Sequence, residues 1–308
     1  MAAGGTTIQK MRRCRCQPPR RARPWRDSGR GLLLALGLSA LARAADLPTV
    51  ASTDLCADLI LLRVAAPEQI VSVSRAGHDP RLSPLAERAR AYPANRGQVE
   101  ELLRLKPRFA LVYAGWNGRR HADLLAARGI ETIALPYPHA WHQALDNVQT
   151  VATRIGRAAQ GAALVASATT RMQALAHAVL PERVLYLRPS GGTAGAGTYV
   201  DALLTHLGWR NLAAERGLSG WGGFPLEQLL LTPPERLLLG YFTSDATWTT
   251  AAYARHPVFA ALRARLPTLV LPGHAWGCGG LDLIDVAEDL VARGVAPGHA
   301  ERAAPHPD

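Results

Sequence analysis

Two segments 127 residues apart follow one pattern: Val99-Glu-Glu-Leu-Leu-Arg-Leu-Lys-Pro107-Arg-Phe-Ala-Leu-Val112 and Leu226-Glu-Gln-Leu-Leu-Leu-Thr-Pro-Pro234-Glu-Arg-Leu-Leu-Leu239. Each reads as a short helix followed by a buried strand. A glutamate stands near the helix start (Glu100, Glu227), leucines recur on the inner face, a proline (Pro107, Pro234) stops the helix, and an aliphatic run supplies the strand. A second match follows in each half, where helical residues 122–128 lead to Thr132-Ile-Ala-Leu-Pro136 and residues 259–265 lead to Thr268-Leu-Val-Leu-Pro272. Strands alternating with helices favour a parallel sheet. The repeat therefore predicts an α/β protein of two Rossmann-like lobes with a cleft between them, where small ligands bind.

Residues 1–44 do not share this pattern. They are crowded with arginine, then carry the apolar run Leu32–Leu41, too short to span a membrane, then Ala42-Arg-Ala44 with small residues where a signal peptidase reads. A cleavable signal peptide over 1–44 and export to the periplasm are expected; no cysteine follows the run to carry a lipid anchor. The whole chain has 35 basic and 24 acidic residues, net +11. Ten of the basic residues and one acid (Asp27) lie in 1–44, which leaves 25 against 23, or +2, for the remainder. The high pI belongs to the leader, and a nucleic-acid partner loses its support. Of the four cysteines, only Cys56 and Cys278 lie beyond the leader, which is no disulfide framework.

The first lobe is expected over 45–139, with strands at Val50–Ser52, 69–74 and Glu131–Leu135, a helix over Leu55–Val64, and an irregular stretch from Arg75 to Asn95. From about Ala140 to Val179 the sequence is alanine-rich, free of proline, and apolar at helical spacing. It predicts one long linking helix over 140–180, bent at Gly156, a stiff strut that limits lobe opening. The second lobe follows over 181–296, with a strand at Arg183–Leu187, a flexible glycine loop over 191–197 and a helix from Tyr199 to Leu207. A disordered tail is expected over 297–308.

The glycine loop follows a strand and precedes a helix, but lacks both full dinucleotide spacing and a P-loop lysine, so it reads as a cleft loop. His78, His139 and His274, with Asp79, fall in loops at strand ends. Only His139 and His142 are paired at ligand spacing, which argues against a bare-metal site; His121, His177 and His299 read as surface residues. Cys56 opens the first helix and Cys278 lies in Trp276-Gly-Cys-Gly-Gly280. The two could bridge, contact a ligand metal, or be merely buried. The aromatics carry more. Trp116, Tyr137, Trp221, Tyr241 and Trp276 all fall in loops or at strand ends, where aromatic walls suit a large planar or macrocyclic ligand. With no G-x-S-x-G, no H-E-x-x-H and no adjacent carboxylate pair, a catalyst such as a periplasmic hydrolase is not expected.

From Val50 to Gly294 the chain resembles the periplasmic substrate-binding proteins of iron-complex and cobalamin ABC importers, whose two lobes are joined by a long helix. The Ala57-Asp58-Leu-Ile helix, the two repeat units, and the Tyr199–Ala213 stretch with Leu207-Gly-Trp-Arg-Asn-Leu carry the likeness. The resemblance implies that Glu100 and Glu227 dock into basic pockets of the two permease subunits. It also implies a metal-chelate ligand and a monomer working with a permease dimer, and no cofactor beyond that ligand. The expected ligand contacts are Cys56, Arg75, His78, Trp116, Tyr137, Tyr199, Trp221, Tyr241, Trp276 and Cys278. Cobalamin is the first expectation, because the candidates are aromatic and glycine-rich with few cations. An anionic ferric siderophore would want an arginine cluster, for which Arg75, Arg119 and Arg188 are on offer; heme is a further alternative.

Overall fold

In the first lobe, β1 (Val50–Ser52), β2 (Ile70–Ser74), β3 (Ala94–Asn95), β4 (Phe109–Tyr113) and β5 (Glu131–Leu135) pair in parallel in the order β3-β2-β1-β4-β5. Between them run α1 (Leu55–Val64), α2 (Ala86–Ala89), α3 (Val99–Leu105) and α4 (Ala122–Ala126). All five residues of β4 are buried, as befits a central parallel strand covered on both faces. The order reverses between β1 and β4, and at such a switch point a crevice opens beyond the carboxyl ends of the strands. Asp54 caps α1 by accepting from the Ala57 N–H at 3.0 Å and also accepts from the Tyr113 N–H at 3.2 Å, tying the helix to the end of β4. Leu61, Leu62, Leu102 and Leu111 are fully buried, each contributing about 1.5–3 kcal/mol.

This structure is a computed structural model, and it describes residues 47–113, 115, 116, 120–241, 251–273 and 276–294. The expected signal peptide, the tail over 297–308, Arg119 and His274 lie outside the described residues. Among the described residues no helix is long and apolar enough to cross a membrane.

The linking segment is not one helix. It forms α5 (Trp141–Arg154) and α6 (Ala158–Ala174), folded back on each other. Gly156, at φ 76°, adopts the left-handed backbone that turns the chain. A Cβ on Gly161 would come within 2.3 Å of the Ala152 Cβ, and Trp141 and Met172 line one cavity, so the two helices run antiparallel. Helical periodicity is present throughout the segment, but one glycine conformation converts the expected strut into a hairpin. Val148 and Val151 of α5 and Ile155 just after it enter the core of the first lobe, while Ala168 and Met172 of α6 enter that of the second.

The second lobe comprises β6 (Arg183–Leu187), β7 (Gly192–Ala194), α7 (Tyr199–Leu207), β8 (Arg210–Asn211), α8 (Leu212–Glu215), β9 (Trp221–Gly223), α9 (Leu226–Leu231) and β10 (Arg236–Gly240). It continues with α10 (Ala252–Arg255), α11 (Pro257–Arg265), β11 (Thr268–Leu271) and α12 (Asp282–Gly294). A parallel sheet runs β11-β10-β6-β8. The glycine loop expected to be flexible instead supplies β7, which pairs antiparallel with β9, Ala194 opposite Trp221. The glycines at 191, 192, 195 and 197 in and around this short strand hid it, because they lack the side chains on which strand patterns are read. Tyr137 and Leu281 pack against the cores of both lobes.

Candidate functional site

The residues that could meet a ligand gather where parallel strands end. Tyr113 closes β4, Tyr137 follows β5, Arg188 follows β6 and Tyr241 follows β10, while Trp276 and Cys278 lie beyond β11. This is the edge at which open α/β sheets bind ligands.

There the rings form a continuous series from one lobe into the other. Tyr113 meets Tyr137 edge-on at 6.3 Å, Tyr137 meets Tyr199 at 6.0 Å, and Tyr199 meets Trp221 at 5.4 Å. Trp221 is 6.5 Å from Tyr186, which is 5.0 Å from Trp276. These are the tilted and edge-to-face separations that aromatic quadrupoles favour. The Tyr137 hydroxyl donates to the Gly277 carbonyl at 3.0 Å, and the Tyr199 hydroxyl donates to the Trp276 carbonyl. The Arg188 guanidinium lies 4.6 Å from the Trp221 ring centroid and 5.1 Å from that of Tyr241, and its Nε donates to the Tyr186 hydroxyl at 3.2 Å. Cation–π contact holds the charge at the mouth of the series. Burial pushes the Tyr186 and Tyr199 hydroxyls well above the ordinary phenol range and raises that of Tyr241, so all three stay protonated at neutral pH.

Exposure divides this set. Trp221 is 39 % exposed and Tyr137, Arg188 and Tyr241 are half-buried, whereas Tyr186, Tyr199 and Trp276 are buried. Trp276, expected to be a ligand wall, is therefore packed behind one, since its ring is covered by Tyr186 and the core under α12. Arg188 is among the arginines the sequence offers to an anionic ligand, whereas nothing in the sequence singles out Tyr186. Tyr186 is hidden among the aliphatic residues Val184, Leu185 and Leu187 of β6, directly before Arg188.

Cys56 and Cys278 form a disulfide, with Cα atoms 5.3 Å apart. Of the alternatives the sequence leaves open, the bridge is the one the structure adopts, and as ligand contacts the pair is a correction: a bonded sulfur is no thiolate and cannot ligate a metal as one. The bridge joins α1 of the first lobe to the segment before α12 of the second. Beside it Arg63 of α1 pairs with Asp282 of α12 at 2.5 Å, both largely buried. No local pattern connects Arg63 with Asp282, 219 residues away.

The remaining candidates follow β2 and β4 at the carboxyl edge of the first-lobe sheet, outside the ring series. Trp116 donates its indole N–H to the Gly97 carbonyl at 2.8 Å and lines a cavity with Thr53, Gln98 and Glu100. Arg75, exposed, and His78, half-buried, sit on a single 3-10 turn after β2 that packs against α1 and α2. Asp58 anchors that turn: wholly buried, it accepts from the Ser52 and Ser74 hydroxyls and, at 2.8 Å, from the Ser74 N–H. Burial, opposed by those hydrogen bonds, pushes its carboxyl up to about 7.

Residues 50–264 match the family model for periplasmic binding proteins, and the chain belongs to that family of binding proteins. Comparison with curated protein sequences gave no match. Among solved structures, the periplasmic heme-binding protein RhuT of Roseiflexus sp. RS-1 is similar, at 20% identity and a TM-score of 0.66 over 80% of this chain and 97% of that one. The periplasmic heme-binding protein HutB of Vibrio cholerae is 18% identical, with a TM-score of 0.64 over 80% and 98%. An ABC transporter substrate-binding protein of Listeria monocytogenes EGD-e is 13% identical, with a TM-score of 0.62 over 80% and 98%. At these identities the likeness is one of fold.

Proposed function

We propose that this protein is the periplasmic substrate-binding component of an ABC importer and that it carries a metal tetrapyrrole in the cleft between its lobes, without catalysing a reaction. The observation that carries the ligand class is the aromatic series with Arg188 held between Trp221 and Tyr241 at its mouth. A flat macrocycle gains dispersion and apolar burial against Trp221, Tyr137 and Tyr241, and Arg188 offers a fork of donors to a peripheral carboxylate. That combination favours a carboxylate-bearing tetrapyrrole such as heme, in keeping with the heme-binding proteins that share the fold. A corrinoid is the second reading, favoured by Arg188 being the one cation among these four wall residues; a ferric siderophore would call for more. Glu100 and Glu227, exposed at the starts of α3 and α9, are the docking acids for the permease subunits.

The test is a visible-absorption titration of purified protein with hemin and with cobalamin. Saturable, stoichiometric binding of hemin, weakened about tenfold or more in Arg188→Ala, is expected. Saturable cobalamin binding that Arg188→Ala leaves unchanged would replace heme by a corrinoid, and no binding of either would remove the tetrapyrrole reading.

A further inference from the structure

Glu100 and Glu227 occupy matching places in the repeat, yet their surroundings differ. Glu227 lines a cavity of about 340 Å³ with Ser190, Phe224, Pro225, Leu226 and Tyr253, and among its described lining residues Glu227 is the one that carries charge. The Tyr253 phenol is pushed up to about 12, by burial first and by the nearby Glu227 charge second. On the same short helix, three and four positions on, Leu230 is 53% and Leu231 82% exposed. Exposed leucines in adjacent positions, beside an acid that pairs with no cation among the described residues, suit a contact surface better than one that faces only water.

Glu100 lines a cavity of about 400 Å³ that also holds Arg96, Arg120 and His121. Two guanidinium groups oppose one carboxylate there, so a cation entering from a partner is repelled as well as attracted. Around Glu100 itself, α3 presents Glu101 and Arg104 rather than exposed leucines.

We infer that permease docking is lopsided: the second lobe makes the principal contact, taking a basic side chain of one permease subunit into the Glu227 cavity while apolar side chains of that subunit cover Leu230 and Leu231. The first lobe, through Glu100, adds orientation more than affinity. The occupant is a permease subunit because the patch is continuous with the acid assigned to docking, and the inference rests on that assignment. Charge complementarity selects the basic side chain, and the two leucines supply an apolar contact that the Glu100 helix itself does not offer, the exposed Leu124 of the first lobe standing on the neighbouring α4.

The experiment measures binding of the permease complex, co-isolated from native membranes with the tagged chain and reconstituted in nanodiscs, to immobilised single variants. Thermal melts and hemin titrations of each variant run in parallel. Glu227→Gln is expected to weaken binding tenfold or more, Glu100→Gln less than threefold, and the double variant Leu230→Ser, Leu231→Ser about tenfold, all with unchanged melting and hemin affinity. Equal losses for the two glutamine variants, or a larger loss for Glu100→Gln, would overturn the asymmetry while keeping both glutamates in docking. An unaltered Leu230→Ser, Leu231→Ser variant would remove the apolar contact. If neither glutamine variant changes binding, the docking assignment itself fails.

Discussion

Removing the Cys56–Cys278 bridge should cost this protein about as much stability as truncating one large buried side chain of its core. The bridge closes a loop over a sequence separation of 222 residues. In the chain-entropy description, a loop of that length restricts the unfolded ensemble by about 5 kcal/mol at 25 °C, and residual structure in the unfolded chain lowers the measured figure toward about 3 kcal/mol. The folded state loses little. Arg63 still pairs with Asp282, Tyr137 still donates to the Gly277 carbonyl, and Tyr137 and Leu281 still pack into both cores. The effect therefore resides in the unfolded chain, and the Cys56→Ser, Cys278→Ser variant should keep its circular dichroism and its hemin titration. The assay is urea denaturation of the oxidised protein and the double variant, with thiols counted on denatured, unreduced protein. No free thiol in the parent and a stability difference of about 3–5 kcal/mol are expected. A difference below about 1 kcal/mol with the bridge shown intact would refute the loop-entropy argument.

Trp221→Ala should weaken tetrapyrrole binding by about 1–3 kcal/mol, the scale of a buried aromatic contact at a binding hot spot, while Trp116→Ala leaves the titration unchanged; the reverse pattern would move the ligand to the first-lobe cavity. Asp58 has its folded-state pKa raised to about 7 from 3.8. A carboxyl raised in this way binds its proton more tightly in the folded state, so its contribution to stability is full below pH 4 and declines as pH rises to about 7. The decline is up to roughly 4 kcal/mol, and Asp58→Asn should flatten that part of the pH–stability curve measured by denaturation. A slope identical in the variant would assign it to other groups. Charge reversal of both Glu100 and Glu227 to lysine should leave hemin affinity intact in calorimetry and abolish ligand-dependent growth of a strain carrying the variant; normal growth at normal expression would refute docking through these acids.

The local period of the chain determined its elements. Leu55–Val64, Glu131–Leu135, Arg183–Leu187 and Tyr199–Leu207 are legible because apolar spacing, caps and prolines act within a few residues of one another. The repeat around Glu100 and Glu227 likewise fixed two similar lobes, since each copy specifies the same helix and strand. What tertiary structure decided depends on contacts between distant residues or on single backbone angles. Gly156, where the sequence predicts a bend, lies in the left-handed region and turns an expected strut into a hairpin; a helical pattern marks the break but not the backbone angle taken there. Trp276 looks like a loop residue until Tyr186 covers it, and Cys56 finds Cys278 only because two lobes bring α1 against the start of α12. Likewise Glu100 and Glu227 are equivalent in sequence, and only folding surrounds one with arginines and leaves the other beside bare leucines.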